Sequence, residues 1–329
     1  MDVEPTVSVV IVNYNGLGFI HETLDSILCQ TRAPEEIIVV DNASSDGSAT
    51  EIAARYPGVQ LVRSSENRGF AGGVNLGLMN ARGSVLALIN SDAKADSRWL
   101  EALLKALTEY PEAAVAEGKI LPDDGSAEIE QAGALFNNLG NYWGRGFRDR
   151  DEGQFDDPAE VPGVTACAMI VRREALRGGP LFDDRLFMYG EELELTLRLR
   201  IEGWSIRYVP AAVVRHGGMR SIKASTASPW LFQKFHTNRN RIGIVARYFP
   251  AGLIIRNLPL LVLGLVYADI VFLTKGGIGL FLRAIGSQTV SFFRGIRHRS
   301  PTVMRDAMAW LPWMTTHDLR GILRQKKRM

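Results

Sequence analysis

Short runs of hydrophobic residues alternate with amphipathic stretches through the first 120 residues of the chain. The hydrophobic runs are rich in β-branched residues and predict strands at 7–12, 37–40, 59–62 and 85–89. Stretches in which apolar residues recur with helical spacing lie between them, as at 18–30 and 48–55. Strands that alternate with helices in this way predict an α/β fold with a mostly parallel central sheet.

Clusters of polar residues directly follow three of the predicted strands. They occupy residues 13–16, 41–48 and 90–92. In open parallel sheets, ligands bind in the crevice beyond the carboxyl ends of the strands. We therefore expect the three clusters to share one edge of the sheet and to form a binding site there.

The first polar cluster does not form a dinucleotide-binding turn. Gly16 and Gly18 have the spacing of the glycine fingerprint, but His21 stands where its third glycine is needed. Asp41 ends the second predicted strand and can accept hydrogen bonds from a ribose or from the N–H group of a base. An ordinary aspartate in a turn at a strand end is the alternative.

The second half of the chain has a less regular pattern. Residues 122–160 are rich in Gly, Asp and Asn and lack periodicity, which indicates loops. The elements predicted after them are a strand at 164–171, a helix at 191–201, short strands at 206–209 and 212–214, and a basic helix at 230–248.

Charge is distributed unevenly along the chain, although the net charge is only +2. Residues 275–329 contain 11 Lys and Arg against 2 Asp and Glu, whereas the first 274 residues contain 27 and 34. The acidic body argues against nucleic-acid binding, which needs a basic groove along the phosphates. The basic tail instead suits an anionic lipid surface.

An apolar run at 258–274 precedes the basic tail, with Asp269 as its one charged residue. It is shorter than the roughly 20 residues that span a bilayer, so we expect residues 251–329 to lie in the membrane interface as a peripheral or monotopic segment. Packing of these helices on the body, or pairing of two subunits into a homodimer, is the alternative.

The N-terminal residues and the cysteines bear on the compartment. The acidic start of the chain leads straight into the first predicted strand and lacks the basic region of a signal peptide. Cys29 and Cys167 form neither a CxxC pair nor a disulfide framework. We therefore expect the body of the protein at the cytoplasmic face of the cell membrane.

Four ordered motifs in this sequence resemble those of glycosyltransferase family 2, particularly of its rhamnosyltransferase-like members. They lie at residues 9–15, 39–48, 67–75 and 88–92, and the resemblance extends over roughly residues 5–245. It implies a GT-A fold, the Rossmann-like fold of transferases that use nucleotide-diphosphate sugars. Residues 1–225 would then be the catalytic domain and residues 226–329 a helical, membrane-associating segment.

The resemblance also implies how the donor is bound. Asp41 resembles the residue that holds the nucleobase or ribose, with Asn13 and Asn15 lining the same pocket. The loop and helix start that close over the ribose and diphosphate would comprise Asn67, Arg68, Gly69 and Asn75. Glycine-rich turns expose backbone N–H groups and an arginine adds a charged fork for phosphate, although a simple turn with a tight helix entry is the alternative.

A divalent cation is expected at the third polar cluster. Asn90-Ser91-Asp92 stands in the place of the family's DxD motif, with Asn at the first position, so that Asp92 offers a single carboxylate. His216 resembles the family's histidine near the metal and the diphosphate. Mg²⁺ or Mn²⁺ suits such a site, because the substrate supplies further oxygen ligands.

The segment 182–195 resembles the part of the family that ends in an acidic pair followed by a helix. Glu192 falls on the position of the acid that accepts the proton of the acceptor hydroxyl, and Glu191 is the reserve candidate. Attraction between acidic residues and a helix N-terminus is the alternative reason for this pair.

The resulting hypothesis is an inverting, metal-dependent transfer of a sugar from a nucleotide-diphosphate donor to a glycan or lipid-linked glycan in cell-envelope synthesis. L-Rhamnose from its dTDP donor is the leading expectation, with a UDP-hexose as the alternative. A sugar nucleotidylyltransferase is disfavoured, because no GxGTR-type loop follows the first predicted strand. A non-catalytic membrane scaffold is the remaining class.

Overall fold

The computed structural model describes residues 4–218 and 220–299, and within them a nine-stranded mixed sheet forms the body of the protein. The strands are β1 (Val7–Asn13), β2 (Glu36–Asp41), β3 (Gln60–Arg63), β4 (Val85–Ile89), β5 (Ala93–Ala95), β6 (Ala113–Pro122), β7 (Ala134–Phe136), β8 (Tyr142–Gly144), β9 (Ala159–Glu160), β10 (Ala168–Arg172) and β11 (Ser205–His216). Strands β7 and β8 form a separate hairpin.

The helices of the described chain are α1 (Ile20–Leu28), α2 (Ser48–Arg55), α3 (Gly69–Asn80), α4 (Trp99–Glu109), α5 (Glu191–Ile201), α6 (Arg220–Ser225), α7 (Pro229–Tyr248) and α8 (Ala251–Arg297). Two short 3₁₀ turns, Arg173–Leu176 and Asp184–Leu186, lie between β10 and α5.

The first four predicted strands are confirmed and form the parallel part of the sheet, in the order β3-β2-β1-β4. Beyond β4 the sheet continues as β10-β6-β11-β5, and β10 runs antiparallel to both of its neighbours. The two short strands predicted near 206–214 form one strand, β11, whose pairing with β6 is interrupted between Val209 and Val213. The prediction of two strands was wrong because an irregularity within one strand also breaks the alternation of side chains.

The alternation of side chains along the strands divides the core between the two faces of the sheet. Val9 and Ile11 pack on the face covered by α1 and α4, where Trp99 is fully buried. Val10 and Ile38 belong to the opposite face, which is covered by α3 and α5. The sheet is therefore buried on both sides, as the continuous apolar runs of its parallel strands predict.

The C-terminal helices form a hairpin against the body. Helix α8 is broken at Gly277, which has φ 76°, into a first arm (251–276) and a second arm (278–297). The arms lie side by side, since Gln288 on the second donates a 3.2 Å hydrogen bond to Asp269 on the first. A Cβ atom on Gly295 would lie 2.3 Å from the carbonyl oxygen of Gly243, so the second arm also packs closely on α7.

Helix α7 shares a core with the body, and α8 exposes much of its apolar surface. Leu193 and Leu197 of α5 pack in one cluster with Ile244 and Val245 of α7. By length and composition alone, α8 is the one described helix that could cross a membrane. The domain boundary at residue 226 stays a prediction, and residues 300–329 of the predicted membrane segment lie outside the described residues.

Candidate active site

The first two polar clusters meet at the edge of the sheet, as predicted. Asn13 and Asp41 are register partners at the ends of β1 and β2, and Asn13 Nδ2 lies 3.2 Å from Asp41 Oδ1. The same amide group donates to Ser48 Oγ over 2.8 Å. Asn13 has no exposed surface and Asp41 is 5% exposed. In this structure the amide of Asn13 fixes the carboxylate of Asp41, and the expectation that Asn13 lines the donor pocket stays a prediction.

Asn15 connects the turn after β1 with the turn after β2. Its backbone N–H donates to Ser44 Oγ over 3.0 Å, and its side-chain oxygen accepts from the backbone N–H of Ser45 over 2.9 Å. Asn15 adopts a left-handed conformation with φ 52°, which asparagine tolerates better than most residues. It is partly exposed and so remains a candidate for donor contact.

Asn42, which the sequence reasoning did not select, holds the predicted diphosphate loop. Its side-chain oxygen accepts from the backbone N–H of Arg68 over 3.0 Å, and its amide donates to Asn67 Oδ1 and to the carbonyl of Gly69. The side chain of Arg68 is 45% exposed. Its charge therefore remains accessible to a phosphate group beside this loop.

Gly69 lets this loop approach the segment before α5. Its φ is 69°, and a Cβ atom would lie 2.2 Å from the carbonyl oxygen of Phe187. The same carbonyl accepts a hydrogen bond from the backbone N–H of Ala71. The predicted diphosphate loop and the segment that leads to Glu191 and Glu192 are thus in direct backbone contact.

The side chain of Asn75 contacts the segment at residues 182–184. Its amide nitrogen donates to the carbonyl of Phe182 over 2.7 Å and to Asp184 Oδ1, and its oxygen accepts from the backbone N–H of Phe182 over 3.1 Å. These contacts engage both ends of its buried amide group. Asn75 therefore joins α3 to residues 182–184, and its predicted place over the donor stays a prediction.

Asp92 and His216 form the candidate metal centre. Asp92 Oδ1 lies 3.3 Å from His216 Nε2, and Asp92 Oδ2 accepts from the backbone N–H of Arg220 over 3.0 Å. Asn90 Nδ2 lies 3.4 Å from the same histidine nitrogen. Burial opposes ionisation of Asp92, but the bonds from His216 and Arg220 outweigh it and lower the pKa of the carboxyl group.

Glu130 orients His216 from the other side, and the sequence reasoning missed it. His216 Nδ1 lies 2.7 Å from Glu130 Oε1. Burial favours the neutral ring, but the neighbouring Cys167, Asp92 and Glu130 raise the pKa of His216 well above its ordinary value. A metal ion binds the neutral ring, so a cation at Nε2 and a proton on the same nitrogen exclude each other.

The pair can hold a cation only together with a substrate. Among residues 4–218 and 220–299, no group of three or more His, Cys, Asp or Glu side chains is arranged to hold a metal ion. A carboxylate oxygen and an imidazole nitrogen nevertheless suit Mn²⁺ or Mg²⁺ when diphosphate oxygens complete the coordination. The bond from Glu130 to the second ring nitrogen is the usual support of a histidine ligand.

The two acids at the start of α5 have different surroundings. Glu191 is 2% exposed, and its Oε2 atom has no hydrogen-bond partner in the described part of the chain, whereas Glu192 is partly exposed. Burial, followed by the charge of Glu192, raises the pKa of Glu191 well above its ordinary value. Burial raises the pKa of Glu192 as well, although backbone N–H groups partly offset the effect. Glu192 is therefore the member of the pair that is accessible to an acceptor.

A third acid, Glu117 on β6, lies near Glu192 and was not selected from the sequence. It is fully buried, and its Oε1 atom accepts from Gln131 Nε2 and from the backbone N–H of Thr165, each over 3.1 Å. Burial, and then the charge of Glu192, raises the pKa of Glu117 well above its ordinary value. Its position as a lone acid in the apolar run of β6 was the available signal.

Residues 166 and 167 connect Glu192 to the pair formed by Asp92 and His216. The backbone N–H of Ala166 faces the carboxylate of Glu192 and opposes the rise of its pKa. The next residue, Cys167, borders His216, and its carbonyl accepts from the backbone N–H of Asn90 over 2.7 Å. Glu192 thus lies on one side of this short backbone segment, and Asp92 and His216 lie on the other.

Comparison with known proteins agrees with this geometry. Residues 8–179 match the model of glycosyl transferase family 2, a range that contains Asp41 and Asp92. An N-acetylglucosaminyl-diphospho-decaprenol L-rhamnosyltransferase of Mycobacterium tuberculosis is 30% identical over 67% of this chain and 78% of its own length. The O-antigen biosynthesis protein RfbC of Myxococcus xanthus is 27% identical over 64% of this chain and 17% of its own length.

Two solved structures confirm the predicted GT-A fold. The mannosyltransferase PcManGT from Pyrobaculum calidifontis, in complex with GDP-Man and Mn²⁺, superposes with a TM-score of 0.53 over 97% of this chain and 83% of its own, at 18% identity. GalNAc-T7 with UDP, GalNAc and Mn²⁺ superposes with a TM-score of 0.58 over 76% of this chain and 49% of its own, at 17% identity. By the family model and the rhamnosyltransferase relative, the chain belongs to glycosyltransferase family 2.

Proposed function

We propose that this protein is an inverting, metal-dependent glycosyltransferase that transfers L-rhamnose from dTDP-rhamnose to a lipid-linked glycan acceptor. The observation that carries the proposal is the position of Asp92 and His216 beside the strand segment at residues 166 and 167, which Glu192 also faces. Such an arrangement offers a base for the acceptor and a cation site for the donor diphosphate within one site.

The proposed reaction is a single displacement. The Glu192 carboxylate accepts the proton of the acceptor hydroxyl while that oxygen forms a bond to the anomeric carbon. The bond from this carbon to the donor diphosphate breaks on the opposite face, so the configuration inverts and the nucleoside diphosphate leaves. A divalent cation held by Asp92 and His216 would supply positive charge to the leaving diphosphate. The exposed guanidinium of Arg68 is the candidate for further charge at that group.

The choice of donor and acceptor rests on the relative from Mycobacterium tuberculosis. Its name describes L-rhamnose transfer to an N-acetylglucosaminyl-diphospho-lipid. The exposed apolar surface of α8 supports a lipid-linked acceptor, because a membrane-bound substrate would meet the enzyme at the bilayer surface. We place the protein at the cytoplasmic face of the membrane, and a UDP-hexose is the alternative donor.

The test is thermal stabilisation of the native protein by dTDP, UDP and GDP, each with and without Mn²⁺. A nucleotide at about 100 times its dissociation constant should stabilise the fold by roughly 2.7 kcal/mol. We expect a Mn²⁺-dependent shift with dTDP that Asp92→Ala abolishes. Asp124→Ala, which removes an exposed carboxylate, is the matched control and should keep the shift.

The pattern across nucleotides then selects the donor class. A larger shift with UDP than with dTDP would favour the UDP-hexose alternative. If none of the three nucleotides stabilises the protein and Glu192→Gln loses no function, the enzyme proposal fails. The protein would then be a non-catalytic membrane scaffold.

A further inference from the structure

A cavity of about 370 Å³ lies on the outer side of the segment that precedes the acidic pair. Residues 183–186, helix α7 and the second arm of α8 enclose it. Six of its lining residues are basic: Arg185, Arg239, Arg247, Arg283, Arg294 and His298. We call it the arginine cavity.

The two carboxylates in the arginine cavity are already paired. Asp183 contacts the guanidinium groups of Arg185 at 2.5 Å and Arg247 at 3.2 Å. Glu194 lies 3.3 Å from Arg198 and accepts a hydrogen bond from the hydroxyl of Tyr248. These acids therefore do not neutralise the remaining arginines.

Three arginines leave the cavity with a net positive charge. Within the described chain, Arg239, Arg283 and Arg294 have no carboxylate within 4 Å. The guanidinium of Arg239 donates only to neutral groups, namely the carbonyls of Arg185 and Leu186 and the side-chain oxygen of Asn240. Burial and the nearby charge of Arg294 lower the pKa of Arg239. The positive charges of neighbouring arginines repel each other, and an anion bound between them would relieve this repulsion.

The cavity also has the space and the apolar surroundings for an amphiphile. Gly286 is among its lining residues, and nothing lies within 4 Å of the position that a Cβ atom would take there. Gly243 and Gly295 also line the cavity and let α7 and the second arm of α8 pack closely beside it. Val290, which also lines the cavity, is 55% exposed. Further exposed apolar residues lie along the same arm: Leu282, Ile285, Phe293 and Ile296.

We propose that the arginine cavity binds the phosphate group of a membrane lipid whose tail lies along the second arm of α8. This site is separate from the donor site and rests on the proposed function only for the position of the protein at a membrane. Guanidinium groups bind phosphate through paired N–H donors, and the apolar surface beside them covers an acyl or prenyl chain.

The test compares vesicle binding by two double variants that remove the same charge from α8. Arg283→Gln with Arg294→Gln removes two arginines of the cavity. Arg256→Gln with Arg297→Gln removes two exposed arginines that do not line it. The probes are vesicles of phosphatidylcholine alone and with added phosphatidic acid. Loss of non-specific attraction should weaken binding to the anionic vesicles about fivefold for each arginine in both double variants.

The proposal requires a further loss that only the cavity variant shows. We expect it to bind the phosphatidic acid vesicles at least about tenfold more weakly than the control variant, because two charge-assisted hydrogen-bonding groups are gone. Equal losses in the two variants would overturn the site. A different result would be that inorganic phosphate stabilises the native protein while the protein binds both kinds of vesicle equally well. The cavity would then bind a soluble anion, and the proposal of a lipid ligand would be overturned.

Nucleotide binding separates this test from that of the proposed function. Both arginine variants should keep the Mn²⁺-dependent stabilisation by nucleotide, which also shows that they are folded. Asp92→Ala should lose that stabilisation and bind the vesicles as the native protein does. Failure of the lipid site and failure of the donor site therefore give different results.

Discussion

The Nδ1 atom of His216 lies 2.7 Å from a carboxylate oxygen of Glu130, a residue 86 positions earlier in the chain. This contact fixes the ring so that Nε2 points toward Asp92. The orientation of the candidate metal ligand therefore depends on a residue from the irregular segment between β6 and β7.

Replacing Glu130 with Gln should weaken Mn²⁺ binding by about 10–100-fold, the usual effect of removing the support of a histidine ligand. The measurement is the Mn²⁺ concentration needed for half of the stabilisation by nucleotide. Glu128→Gln, two residues earlier, is the matched control and should change it little. An unchanged Mn²⁺ dependence in Glu130→Gln would mean that His216 does not bind the cation.

Glu192→Gln should reduce the rate constant for sugar transfer by about 10²–10⁴-fold, because the amide cannot accept the acceptor's proton. Nucleotide binding should persist. Glu191→Gln should retain most of the activity, since Glu191 is 2% exposed whereas Glu192 is partly exposed and accessible to an acceptor. Rates of transfer for both variants check this assignment, and a larger loss in Glu191→Gln would reverse it.

Glu117 should make the protein less stable as the pH rises. Burial raises the pKa of this carboxyl group well above 4.5, so over the interval between its unfolded and folded pKa values the native state holds a proton that the unfolded state has lost. The stabilisation is complete below the unfolded pKa and is lost as the pH rises toward the folded pKa. Urea unfolding at several pH values should show a smaller decline in Glu117→Gln, and exposed Glu51→Gln should match the native protein.

Gly69→Ala should destabilise the fold by about 1–3 kcal/mol and weaken nucleotide binding. The added Cβ atom would lie 2.2 Å from the carbonyl oxygen of Phe187, at a φ that alanine adopts poorly. Gly58→Ala is the control, because nothing lies within 4 Å of its Cβ position. Denaturant unfolding measures both, and equal stability of the two variants would show that the loop at residue 69 can move away.

Much of the fold follows from local patterns in the sequence. Helix α5 has the predicted bounds, Glu191–Ile201, and the parallel strands lie within a residue or two of their predicted limits. The spacing of apolar residues reflects which side of a helix or strand is buried, so it predicts the presence and type of these elements well. It does not report pairing direction, and therefore the antiparallel position of β10 and the continuity of β11 could not be predicted.

The location of the candidate site could be predicted from the sequence, whereas the roles of its residues stay predictions. Asp92 and His216 lie together as expected, whereas Asn13 and Asn75 proved to be buried residues that hold other groups. An asparagine in a motif can bind a ligand or satisfy backbone groups, and only its surroundings decide which. Glu130 could not be found, because residues 122–160 lack periodicity and its partner is distant in sequence.

In the proposed position at a membrane, Asn240 on α7 would hold the candidate site at a fixed height above the lipid surface. Its amide donates to the carbonyls of Leu186, Met188 and Tyr189, immediately before the acidic pair. Helix α7 and the segment that leads to Glu192 are thereby joined side chain to backbone. Under the proposed function, a lipid-linked acceptor whose hydroxyl lay nearer to or farther from its lipid tail would miss Glu192, and the distance between lipid and sugar would become a criterion of selection.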